Sequence, residues 1–126
     1  MKIRDTPLLD CKIIEPAVFP DARGKFVVVF DNSAFTAALP FQKAFITTNE
    51  STSSYGVLRG LHMQKGDAGQ AKLVRCVQGR ILDVVVDFRP DSPTYLKHFT
   101  LELSGDNHKQ LLVPREFLHG FSVLSE

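Results

Sequence analysis

The sequence predicts an all-β domain, a sandwich or barrel with one short helix, and three observations predict it. Apolar and polar residues alternate with a period of two over most segments, turn residues interrupt them about every eight to twelve positions, and a single stretch has helical character. At 126 residues, the span 1–126 reads as one domain, long enough to bury one core and too short for a second.

Strands are expected over 8–14, 25–30, 43–48, 57–61, 71–78, 80–88, 97–103, 109–113 and 120–124. The helix is expected over 33–39, where Asp31, Asn32 or Ser33 supplies a cap and Pro40 stops the turn. Gln78-Gly79 separates two apolar runs, so 72–77 and 80–86 read as an antiparallel hairpin. Along these strands Lys72, Val74 and Cys76 share one face, as do Asp83, Val85 and Asp87. A lysine and an aspartate among inward apolar neighbours are costly to bury unpaired, so this face is expected to line a polar cavity. The run Phe121-Ser122-Val123-Leu124 reads as a strand with nothing after it to pair with, and the polypeptide is expected to continue past Glu126 with its C-terminal portion missing here.

Composition excludes several function classes. The formal net charge is +1 and no basic stripe occurs, so no nucleic-acid partner is expected. Asp83 and Asp87 interrupt the longest apolar runs far below the length of a membrane span, and residues 1–10 lack the apolar core of a signal peptide. No membrane association is expected, and the location is read as cytoplasmic. Cys11 and Cys76 stand far apart and form no CxxC pair, so they read as reduced packing residues.

The densest polar cluster is Gly56-Val57-Leu58-Arg59-Gly60-Leu61-His62-Met63-Gln64. In a regular strand Arg59 and His62 face opposite sides, but a bulge at Gly60 turns both toward one cavity. Taken from this segment alone, a satisfied core histidine beside a surface arginine is about as good a reading as a site. His119 adds a second imidazole at a loop-to-strand junction; His98 and His108 have no such context. A metal site in an all-β domain of this kind places two histidines one residue apart with a carboxylate close behind. Here Gln64 holds the second position and the next acidic residue is Asp67, so a metal-free site is expected, with His62, Gln64 and His119 the weak alternative ligand set.

Six segments, in order, carry a resemblance to a known family. Pro20-Asp21-Ala22-Arg23-Gly24-Lys25-Phe26 is similar to the D-x-R-G-x-F element of the dTDP-4-dehydrorhamnose 3,5-epimerases, and Val57-Leu58-Arg59-Gly60-Leu61-His62 to their V-L-R-G-L-H core. The stretches 70–75, 79–87 and 92–94, and Val113-Pro114 through His119-Gly120-Phe121, follow with similar spacing. The resemblance covers about the first two thirds of a family member. It implies a cupin-type jelly roll, a homodimer with exchanged strands, and epimerisation of dTDP-4-dehydro-6-deoxyglucose at the carbons flanking its ketone, in dTDP-rhamnose biosynthesis.

By the same resemblance His62 is the general base, and Lys72 with Arg59 holds the ketone oxygen or its surroundings. His119 contacts the sugar or a phosphate, Arg23 grips the diphosphate, and Asn49 falls at another substrate-binding position. No cofactor is implied. These residue types suit the chemistry, because a proton next to a ketone leaves only if the enolate is stabilised. A histidine of ordinary pKa about 6.5 is a suitable base near neutrality. Each fixed donor at the developing oxyanion is worth about 3 to 4 kcal/mol. The family's acid is a tyrosine located after the position of Glu126, which neither Tyr55 nor Tyr95 matches.

Two positions depart from the family pattern: Val28 replaces a glutamate and Thr47 a glutamine. They imply altered nucleotide or sugar recognition and make a sugar-nucleotide monoepimerase or 4-keto-sugar isomerase the second reading. A non-catalytic cupin that binds a sugar nucleotide is the third.

Overall fold

Val85, Leu103 and Phe117 from one sheet pack against Leu111 and Val113 from another. This double layer frames the larger of two units in the computed structural model, which describes residues 1–66 and 69–126. The larger unit comprises Met1–Glu15 and Ser53–Glu126, the smaller Pro16–Thr52.

The strands are β1 (Lys2–Asp5), β2 (Lys12–Glu15), β3 (Val18–Asp21), β4 (Gly24–Val27), β5 (Leu58–His62), β6 (Lys72–Arg75), β7 (Arg80–Asp87), β8 (His98–Ser104), β9 (Gln110–Val113) and β10 (Phe117–Val123). In the larger unit they form two antiparallel sheets ordered β1-β2-β9-β6 and β5-β10-β7-β8. Alternation sorts the side chains of β7: Asp83, Val85 and Asp87 are buried between the layers, whereas Leu82, Val84 and Val86 are half-buried on the outer face. The all-β expectation, one short helix included, matches this architecture.

The expected hairpin of 72–77 with 80–86 is not formed. β6 pairs with β9, whereas β7 pairs with β8 and β10, so residues 76–79 carry the chain from one sheet to the other. Gly79, at φ +81°, is pinned there, because a Cβ would lie 2.4 Å from the Ser125 hydroxyl and its carbonyl accepts from the Gly105 amide. A Gly-containing turn between two apolar runs fits a hairpin and a sandwich corner equally well, and packing of the inward faces chose the corner. The shared faces survive the correction: Lys72 and Asp83 now look inward from opposite layers.

Other boundaries also differ. The expected strand 8–14 begins only at Lys12, because residues 6–11 form a turn in which the Thr6 hydroxyl accepts from the Leu8 amide and donates to the Cys11 carbonyl. No strand forms over 43–48. β1 and β3 were not expected, being short, largely exposed and weakly alternating. Cys11, buried, and Cys76, partly buried, are both free thiols; burial pushes the Cys11 thiol up to about 12.

The smaller unit holds the β3–β4 hairpin and α1 (Asn32–Ala38). The Asp31 side chain caps α1 by accepting from the Ala34 amide at 3.0 Å. Phe30, Phe35 and Phe45 form its aromatic cluster, with ring centroids 5.3 to 6.2 Å apart. No helix among the described residues is long and apolar enough to cross a membrane.

At the end of β7, fully buried Asp87 has every acceptor engaged. Oδ1 accepts from the Arg89 amide and Nε; Oδ2 accepts from Arg89 Nη2, Ser92 Oγ and Thr94 Oγ1. Arg89 also bonds Asp10 and lies 5.0 Å from the Phe117 ring centroid. Burial alone would raise the Asp87 pKa, but these donors reverse it and hold it well below the usual carboxylate range. Asp87→Asn is therefore expected to destabilise the protein by about 2 to 3 kcal/mol at neutral pH. Because the folded pKa is depressed, this stabilisation is present above about pH 4 and is lost as pH falls toward the folded value. Thermal unfolding of wild type and variant between pH 7 and 3 checks this, with the gap between their Tm values closing at the acid end.

Candidate active site

Arg59 and His62 reach one face through an irregularity in the β5–β10 pairing. His119 lies opposite His62 and Phe121 opposite Arg59, so β5 advances three residues while β10 advances two. The extra residue is accommodated at Gly60, whose φ of +119° lies in the region that favours glycine. The two backbones meet glycine to glycine, since a Cβ on Gly60 would lie 2.5 Å from Gly120 Cα, and one on Gly120 would lie 2.4 Å from the Arg59 carbonyl oxygen. The expected bulge is thus present, and it brings the two side chains to one face.

A cavity of about 140 Å³ opens beside this bulge. His62 and Gln64 on one side and Lys72 and Gln70 on another supply polar groups, Glu116 adds a carboxylate, and Met63, Val113 and Phe117 supply the apolar wall. Lys72 arrives from the opposite sheet, where its register partner is Val113. Desolvation lowers the Lys72 pKa, and the charge of Asp83 opposes that shift. Desolvation also lowers the His62 pKa, and the nearby Lys72 ammonium acts in the same direction. The neutral form of the His62 imidazole is thus favoured at neutral pH.

His119 stands across the strand pair from His62, 7% exposed, with Nε2 2.7 Å from Asp83 Oδ1. Arg59 is exposed, its Nε donating to the Ser53 hydroxyl at 3.2 Å. Arg23 and Asn49 belong to the smaller unit. Arg23 sits at the β3–β4 turn, where its amide and guanidinium both bond the Asp21 carboxylate at 2.8 Å, and Asn49 is exposed outside any regular element. His62, Lys72, Arg59 and His119 are thus gathered in one unit. Among the described residues no three His, Cys, Asp or Glu side chains are grouped to hold a metal ion, and Asp67 lies outside the described residues.

Sequence reasoning assigned no role to Gln70, Glu116 or Asp83. Asp83 had a signal, an acidic residue in the inward phase of an apolar strand. Glu116, whose φ of +63° faces it into the connection before β10, had none.

This arrangement can take a proton from carbon with a neutral imidazole while an ammonium balances the charge left behind. Comparison with known proteins finds close relatives. The family model described as dTDP-4-dehydrorhamnose 3,5-epimerase matches residues 5–126. The dTDP-4-dehydrorhamnose 3,5-epimerase of Escherichia coli K12 is 47% identical over all 126 residues, which span 68% of its length. The crystal structure of the enzyme of that name from Elizabethkingia anophelis is 52% identical with a TM-score of 0.94, covering all of this chain and 69% of that one. The Legionella pneumophila dTDP-6-deoxy-D-glucose-3,5-epimerase, solved in complex with dTDP-4-keto-L-rhamnose, is 40% identical with a TM-score of 0.92, covering 98% of this chain and 65% of that one.

Proposed function

The chain belongs to the dTDP-4-dehydrorhamnose 3,5-epimerase family, and from that premise we propose that it epimerises dTDP-4-dehydro-6-deoxyglucose at C3 and C5. The observation that carries the proposal is the Gly60 bulge, which sets Arg59 and His62 on one face beside a cavity that Lys72 enters from the other sheet. At each carbon His62 takes the proton next to the ketone, Lys72 and Arg59 stabilise the enolate oxygen, and a proton returned to the opposite face of the ring completes the inversion. No cofactor takes part in this scheme. Arg23 and Asn49 are assigned to the nucleotide diphosphate and the sugar on the strength of their motif positions alone, and His119 to the sugar or a phosphate.

A homodimer is part of the proposal, supported by the outer face of the β5-β10-β7-β8 sheet. There Leu58 is 77% and Leu61 49% exposed beside half-buried Leu82, Val84, Val86 and Leu118. A charged nucleotide-sugar substrate also fits a cytoplasmic location.

The test is NMR of the protein with dTDP-4-dehydro-6-deoxyglucose in deuterated water, following deuterium entry at each carbon. Entry at both C3 and C5 is expected. Entry at one carbon alone selects the monoepimerase reading that Val28 and Thr47 favour, and saturable binding without exchange selects the non-catalytic cupin.

A further inference from the structure

Two aspartates lie on the same inward face of β7, both with 0% exposure, and they are treated differently by their surroundings. Asp87 has donors on both oxygens and serves as a structural clamp. Asp83 has one bond, between its Oδ1 and His119 Nε2 at 2.7 Å, while its Oδ2 has no hydrogen-bond partner among the described residues. A buried carboxylate with an unsatisfied oxygen is a poor way to stabilise a core, and beside Val85 an apolar residue would serve better. Such a group is retained where its charge has a task.

We infer that Asp83 is a positioning residue for the proton transfer, acting through His119 and Lys72 together. This rests on the epimerase reading proposed above. By accepting from Nε2–H, ionised Asp83 fixes the His119 ring in one tautomer and leaves Nδ1 as the nitrogen it does not engage. The same carboxylate acts through space on Lys72 and favours its ammonium form against the cost of burial. The groups facing Asp83 are His119 from β10, Lys72 from β6 and the Cys11 thiol from the turn before β2. Cys11 stays neutral throughout the working pH range, so His119 and Lys72 are the partners that count. Asp83 thereby couples the imidazole beside the base to the cation that receives the enolate charge.

Asp83→Asn tests this, since it keeps the shape and removes the charge. The folded variant is expected to lose about a hundredfold in kcat for deuterium exchange with KM changed less than about threefold, as when a histidine loses its orienting carboxylate. The alkaline limb of its pH profile is expected to move to lower pH, because Lys72 loses the charge that keeps it ionised; a merely structural role would not move that limb. Unchanged kcat and pH profile in a folded variant overturn the inference. Should the variant fail to fold, ring-nitrogen NMR of ¹⁵N-histidine wild type decides: an Nε2–H tautomer at His119 is expected, and an Nδ1–H tautomer overturns it. Wild type silent in exchange sinks the epimerase reading itself, whereas active wild type with an equally active Asp83→Asn sinks this inference alone.

Discussion

His62→Ala is expected to lower the rate of deuterium entry at both carbons by about a thousandfold while leaving the fold intact. General-base contributions fall at about 10²- to 10⁴-fold, and His62 sits on an exposed strand edge, so its removal opens no core cavity. A second signature follows from the direction of its pKa. Desolvation, then the charge of Lys72, lowers it from the ordinary histidine value, so the acid limb of kcat/KM in wild type is expected below pH 6.5. Measuring the limb in wild type and the residual rate in His62→Ala separates the base from groups that only bind. A variant that retains more than about a tenth of the exchange rate would remove His62 from the base position.

Gly60→Ala is expected to cost about 4 kcal/mol of stability, measured by chemical denaturation, and to abolish exchange in whatever fraction stays folded. Two effects add. At φ +119° an L side chain is strained by about 1 to 3 kcal/mol. The added methyl would also lie 2.5 Å from Gly120 Cα and 2.9 Å from the His119 carbonyl oxygen, backbone atoms that cannot swing aside, for a further 1 to 3 kcal/mol or so. Relief comes only by separating β5 from β10, which withdraws His62 from the cavity and breaks the register that sets Arg59 on the same face. A near-neutral Gly60→Ala would mean that the bulge is not the device that positions them.

The layered β architecture was legible because period-two alternation reports burial directly, and it was clearest in β7, β8 and β10. What periodicity leaves open is which strands become neighbours. The error at Gln78-Gly79 is of that kind, since local chemistry specifies that the chain turns and only packing of Val74, Val85 and Leu111 decides into which sheet. Within the site, Arg59 and His62 were legible because a glycine inside a strand weakens it and so tends to mark a bulge or a close backbone approach. Lys72 and Asp83 were legible as misplaced charges in an apolar phase, but their meeting across two layers was not. Glu116 gave no warning, because its presence at the cavity depends on a backbone conformation that glutamate rarely adopts.

The base and the cation of the proposed reaction are carried by different sheets, His62 on β5 and Lys72 on β6. Their separation is therefore set by the thickness of the apolar filling between the layers, where Val113 and Phe117 both pack into the core and border the cavity. In this architecture the volume of a core side chain acts as a spacer between reacting groups. Substitutions at Val113 or Phe117 are thus expected to change turnover through distance as well as stability through packing, much as changing a shim alters the gap between two plates.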